Sequence, residues 1–232
     1  MFTRDMTLSE VIRISPRAIS ALESMEIDYS CQGQRALADA AHAAGYRVED
    51  VIARLDTEGS GGDREIDWFA QPLPSLIDYL TDDHRRTVGD HLPQLRGHID
   101  ALPESSERQR IHVLFRYLAD ALTSHVFNEE RELFPFINHL HSANNQLIGA
   151  PKMRISQRVL HELVEHEGFL DRLRTLNELA DRLPSNDSVR AFRRDLRTFS
   201  EQVRRHMHLE NNVLYPRAIE IENGLRRTAA AV

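Results

Sequence analysis

The stretch HVFNEERELFP at 125–135 returns 81 residues later as HMHLENNVLYP at 206–216. Both read H-x-x-x-E-x-x-x-L-[F/Y]-P. A histidine and a glutamate four apart lie on one face of an α-helix, about one turn from each other. The surrounding chain is helical in pattern. From "PLPSLIDYL" onward apolar residues recur at three and four, as in Leu76, Ile77 and Leu80, then Leu114, Leu118 and Leu122, then Leu170, Leu173 and Leu176. This periodicity predicts four helices, roughly 74–101, 107–141, 152–182 and 187–222, and no segment alternates as a strand would. The turns L-P-E-S-S-E (102–107) and L-P-S-N-D (183–187) are short and make antiparallel neighbours. The fold class expected is all-α: an antiparallel four-helix bundle made of two hairpins, the second echoing the first.

Residues equally far from an antiparallel turn sit side by side. His125 lies 22 residues after Pro103 and His206 lies 22 after Pro184. Going backwards, His84 is 19 residues before Pro103 and His166 is 18 before Pro184. Each hairpin therefore offers one histidine from its first helix and an H-x-x-x-E from its second, at matching heights. The candidate ligands are His84, His125, Glu129, His166, His206 and Glu210. His91 sits about 10 Å off this level at about 1.5 Å per residue. His161 fits the level nearly as well, but it breaks the repeat: His84 to His125 is 41 residues and His166 to His206 is 40, against 45 from His161. A single H-x-x-x-E on a helix is usually a solvated pair; four histidines and two glutamates in a twofold repeat point to a metal site. Four imidazoles and two carboxylates favour two irons over magnesium or calcium, which prefer oxygen ligands, and a glutamate can bridge two ions. Both glutamates bridging would leave each iron open positions. His42, His91, His98, His112, His139, His141, His161 and His208 read as surface or structural. Glu130, Glu132, Glu162, Glu165 and Glu167 read as solvated or as supports behind the ligands. Phe134-Pro135 and Tyr215-Pro216 are expected to pack and then kink or end their helices.

Before the bundle, residues 1–58 read as a small helical N-terminal domain. T-L-S-E (7–10) is a capping box. Ser15-Pro16 looks like a second helix start. "IDYSCQGQRALADAA" is a turn around Gly33 leading into an alanine-rich helix. "TEGSGGD" (57–63) marks a linker, taken as 59–73; the bundle follows over 74–222, with a tail at 223–232. The net charge of -7, with both signs interspersed, argues against a nucleic-acid partner. No apolar stretch approaches a membrane span and no signal peptide is visible. Cys31 is the single cysteine, so no internal disulfide forms and a cytoplasmic, reducing setting fits. It lies across the linker from every candidate ligand, so the sequence treats it as a separate thiol function, independent of metal binding.

Taken together, "HVFNEERELFP", "VEHEGFLDRL", "HMHLENNVLYPRA" and "EIDYSCQGQRALADA" resemble the RIC family of di-iron iron–sulfur cluster repair proteins, whose bundle is hemerythrin-like. The resemblance runs nearly end to end. It implies an oxo- and carboxylate-bridged centre of two non-haem iron ions on the same six residues. It implies nitric oxide or another diatomic ligand, damaged iron–sulfur proteins as clients, and a role in nitrosative or oxidative stress. The alternative it allows is a protein that buffers or senses nitric oxide without repair. The family's N-terminal motif usually reads D-Y-C-C-G-G; here it reads Asp28-Tyr29-Ser30-Cys31-Gln32-Gly33, with one thiol instead of two. The sequence leaves a homodimer open.

Overall fold

The computed structural model describes residues 2–58, 66–142 and 154–230. These divide into two units: Met1–Gln71 with Met207–Pro216, and Pro72–His206 with Arg217–Val232.

In the first unit four short helices, α1 (Leu8–Ile14), α2 (Ala18–Ser24), α3 (Leu37–Ala43) and α4 (Val48–Glu58), close around Leu8, Val11, Leu22, Leu37, Val51 and Leu55. Thr7 and Glu10 form the expected capping box: the Thr7 hydroxyl accepts from the Glu10 N–H, and the Glu10 carboxylate accepts from the Thr7 N–H. The helix start expected at Ser15-Pro16 is displaced. The Ser15 N–H donates to the Val11 carbonyl and closes α1, so a turn intervenes and α2 begins at Ala18. Helix α3 ends in a Schellman motif, with Tyr46 N–H on Ala41 O, Gly45 N–H on His42 O, and Gly45 at φ 80.

Four long helices follow, and their described residues belong to the second unit except for Met207–Pro216 of the fourth. The first is α5 (Leu73–Arg86), a π-helical turn (Thr87–His91) and α6 (Leu92–Asp100). The second is α7 (Ser106–Asn128), a π turn (Glu129–Leu133) and α8 (Phe134–Ser142). The third is α9 (Ile155–Arg182). The fourth is α10 (Asp187–Leu209), a π turn (Glu210–Leu214) and α11 (Tyr215–Ala230). Of the expected linker and third helix, 59–65 and 152–153 lie outside the described residues.

Side-chain pairs fix the directions. His125 meets Glu165 while Arg158 meets Glu132, so α7–α8 and α9 run antiparallel. His206 meets Asp83 while Gln94 meets Asp195, so α5–α6 and α10 do too. An arginine closes each hairpin. Arg108 donates to the Ile99 and Asp100 carbonyls, and Arg193 donates to those of Ala180, Asp181 and Leu183. These carbonyls lie at helix ends, where backbone donors run short.

Neither Phe134-Pro135 nor Tyr215-Pro216 ends its helix. Both pairs, and Leu92-Pro93, follow directly on a π turn, in which Leu92, Phe134 and Tyr215 donate to the carbonyls of Thr87, Glu129 and Glu210, five residues back. The widened turn moves aside the carbonyl that a proline ring would otherwise strike. The fourth helix also continues to Ala230, past the expected end at 222. Glu222 and Arg226 pair one turn apart and Leu225 is buried, so the residues expected as a tail extend the helix.

Candidate metal centre

The six candidate side chains come from all four long helices. His84 lies near the end of α5, His125 near the end of α7 and His166 midway along α9; His206 lies near the end of α10. Glu129 and Glu210 are the first residues of their π turns, one turn beyond His125 and His206 on continuous helices. His84, His125, Glu129, His166 and Glu210 are all under 5% exposed. The structure brings the six together as two overlapping groups. His84, Glu129, His206 and Glu210 form one; His125, Glu129, His166 and Glu210 form the other. Within each, the ligand atoms lie within 4.8 Å of one another.

Within each group the two imidazoles face each other through Nε2. His84 and His206 are 3.0 Å apart, as are His125 and His166. Two nitrogens at a right angle on an ion with bonds of about 2.1 Å are about 3.0 Å apart; a tetrahedral angle would put them at about 3.4 Å. The spacing matches adjacent positions of an octahedron. Glu129 Oε2 lies 3.4 Å from His84 Nε2 and 3.3 Å from His125 Nε2, so this carboxylate faces both pairs. Burial alone would raise the Glu129 carboxyl. The His125 imidazole, with His84 and His166, reverses that and holds it below the ordinary carboxylate range.

Carboxylates face the opposite ring nitrogens of His206, His125 and His84. His206 Nδ1 lies 2.8 Å from Asp83, His125 Nδ1 lies 2.8 Å from Glu165, and His84 Nδ1 lies 3.1 Å from Glu130. Glu162 approaches His125 Nδ1 to 3.3 Å. A carboxylate acceptor keeps the proton on Nδ1 and leaves the Nε2 lone pair facing inward. In the His84–His206 pair both lone pairs then aim at one region, an arrangement that a cation satisfies. Burial would push the Asp83 carboxyl up, but the hydrogen bond from His206, with Arg86, holds it at about 2.

His42, His112, His139, His141 and His161 are exposed and outside these groups. His91 packs edge-on against Phe199, and His98 bonds Asp195. His208 is buried against the Tyr29 ring, and burial lowers it to about 4, against the opposing effect of a Tyr29 backbone hydrogen bond. Sequence reasoning missed Asp83; its signal was an acid beside His84 on a helix antiparallel to that of His206. Cys31 needs a correction. It is half-buried as expected of a turn residue, but it is not remote from every ligand. Asn211, the residue after Glu210, has its Nδ2 3.7 Å from Cys31 Sγ and donates to the Ser30 carbonyl.

Residues 75–218 match the hemerythrin HHE cation-binding domain, and residues 4–58 match ScdA_N, a domain of unknown function. The iron–sulfur cluster repair protein YtfE of Musicola paradisiaca is 30% identical over 96% of this chain and 100% of its own length. The chain belongs to the hemerythrin-domain iron–sulfur cluster repair protein family. Family members named iron–sulfur cluster repair protein YtfE from Citrobacter koseri and from Escherichia coli K12 are each 27% identical over 94% of this chain and 99% of their own length. The hemerythrin domain implies non-haem iron, and all six clustered residues fall inside it. Among the described residues no helix is long and apolar enough to cross a membrane.

Proposed function

We propose that this chain repairs iron–sulfur clusters damaged by nitric oxide or oxidants, and that it does so with two non-haem irons. His84 and His206 hold one ion, His125 and His166 hold the other, and Glu129 and Glu210 bridge them. The observation that carries this reading is the membership of Glu129 and Glu210 in both four-residue groups. When bound, such a pair supplies redox-active metal with exchangeable coordination positions. The protein's own residues bury the site and hold protons on the outer Nδ1 atoms through Asp83, Glu130 and Glu165. The N-terminal helices (1–58) and the bundle (74–222) act as two domains, with Cys31 as the thiol of the first. Damaged iron–sulfur proteins in a reducing cytoplasm are the clients.

Anaerobically purified protein should contain about two irons per chain and revive a nitrosylated cluster enzyme. One zinc per chain, or no revival, would sink the proposal. A second reading, nitric oxide capture without repair, is favoured by Ser30. This buried side chain bonds Asp28 where the family usually has a second cysteine. A stable nitrosyl complex formed without revival of the client would select it.

A further inference from the structure

A cavity of about 120 Å³ lies away from the six clustered residues, between the first and fourth long helices. His91, Leu95, Asp195, Thr198, Phe199 and Gln202 line it. His91 is the last residue of the first π turn, and its ring stands edge-on to Phe199, with centroids 6.2 Å apart and planes at 78°. Its Nδ1 is buried and finds no hydrogen-bond partner among the described residues. Leaving a buried polar atom unpaired is costly, so a ligand that supplies the missing hydrogen bond gains by doing so. Asp195 differs. It accepts from Gln94 at 2.8 Å, from His98 at 2.9 Å and from Arg194 at 2.8 Å. Burial would raise its carboxyl, but the hydrogen bonds from Arg194 and His98 hold it below the ordinary carboxylate range. Leu95 and Phe199 are buried and give the cavity an apolar wall, while Thr198 is exposed and marks its mouth.

We propose that this cavity binds a small uncharged azole, a flat five-membered ring carrying one N–H and one bare ring nitrogen. Size sets the first limit. An apolar cavity of about 150 Å³ takes benzene, with its six ring atoms, so about 120 Å³ suits a ring of about five. Shape sets the second, because aromatic walls favour a flat ring that packs against Phe199 and Leu95. Hydrogen bonding sets the third. Nδ1 of a neutral imidazole is an acceptor in one tautomer and a donor in the other. An azole has one group of each kind, so it pairs with His91 in either tautomer and leaves its second nitrogen for Thr198 or Gln202. Charge sets the fourth. The Asp195 carboxylate repels an anion, and its engagement by three donors leaves little for a cation. None of the lining residues is among the six clustered ones, so this site stands whether or not the two-metal reading does.

The test is equilibrium dialysis of radiolabelled pyrazole against the full-length protein as purified, with the visible absorption of any bound iron followed in parallel. The expected result is one pyrazole per chain at a dissociation constant of about 1 mM, inside the limit that five non-hydrogen atoms allow. The iron absorption should not change. His91→Phe keeps a ring against Phe199 but removes Nδ1, and should weaken binding by about 2–10-fold. Thr198→Phe blocks the mouth and should abolish binding. Thr198 is exposed, so that variant should fold, which circular dichroism checks. No saturable binding to the wild type means that water alone occupies the cavity and overturns the inference. Equal affinity in all three proteins also overturns it, as does binding that tracks a change in the iron absorption, which would put the azole on the metal.

Discussion

Gly33→Ala should destabilise the N-terminal helices through one side chain. Gly33 has no positive φ, so the backbone there would accept alanine. A Cβ would instead fall inside the Asn212 carboxamide, 2.6 Å from Nδ2 and closer still to Oδ1. Asn212 is buried, and its Nδ2 donates to the Tyr29 carbonyl at 3.2 Å and the Ser30 carbonyl at 3.0 Å. Expelling it removes one donor from each carbonyl; Ser30 keeps its hydrogen bond from Asn211, and Tyr29 keeps its backbone hydrogen bond with His208. The two hydrogen bonds lost cost about 1–3 kcal/mol together, and overpacking adds about 1–3 kcal/mol. The expected loss is about 2–6 kcal/mol in the wild-type background. With Asn212→Gly already in place, the alanine meets no carboxamide and should cost under about 1 kcal/mol. Trp68 is the only tryptophan and lies in the same unit, so its fluorescence during urea unfolding reads this region. Equal costs for Gly33→Ala in both backgrounds would refute the close-approach argument.

His84→Ala and His166→Ala should each lower bound iron, while His91→Ala and His161→Ala should not; metal analysis of the four variants decides, and iron loss in His161→Ala with retention in His166→Ala would misplace the third-helix ligand. Glu222→Ala should cost about 1–3 kcal/mol, as for a buried N–H donor left without its acceptor. This carboxylate accepts from Arg226 and from the Ile155 N–H at the start of α9, and an unchanged thermal midpoint would show the contact is dispensable. Asp83 titrates at about 2 in the folded chain against an ordinary 3.8. A depressed carboxyl stabilises the fold above its unfolded pKa and loses that contribution as pH falls through its folded value. Metal-free Asp83→Asn should therefore be less stable than wild type at pH 6, with the gap closing towards pH 2; a pH-independent gap contradicts this. Cys31→Ser should leave bundle iron intact and impair client revival, since iron in a His/Glu site needs no thiolate; iron loss in a folded variant would show that the Asn211 contact reaches Glu210.

The four helices were legible because each is long and amphipathic, and their observed limits fall close to the expected ones except at the C-terminus, where Glu222 and Arg226 carry the last helix on. The six clustered residues were legible because counting from two turns is arithmetic that a bundle obeys. Contacts between helices distant in sequence were not. Asp83 and His206 are 123 residues apart, and nothing local to either announces the other. Asn211 and Asn212 occupy variable positions of the second motif, yet both donate to the 29–30 turn, because a carboxamide can satisfy backbone carbonyls that no helix or sheet serves. Glu130 and Glu165 were left between solvated and supporting roles, together with Glu132, Glu162 and Glu167, since charge alone does not say which ring an acid will reach.

The π turns give the bundle an unusual tolerance to changes in chain length. Removing one residue from an ordinary α-helix rotates everything beyond it by about 100° and turns its apolar face outward. A π turn already holds one residue more than an α turn, so shortening it by one returns the helix to regular winding and leaves the downstream face where it was. Glu129 and Glu210 begin two of these turns, so the same surplus residue that lets each helix pass its proline sits immediately beside a carboxylate of the centre. A one-residue deletion at exposed Arg131 would thus spare the packing of Ile137 and Leu140 against the core while shifting Glu129. Hydrophobic register and carboxylate placement could then be edited separately, and length variation at the two turns that Glu129 and Glu210 begin would act on the candidate site before it acted on the fold.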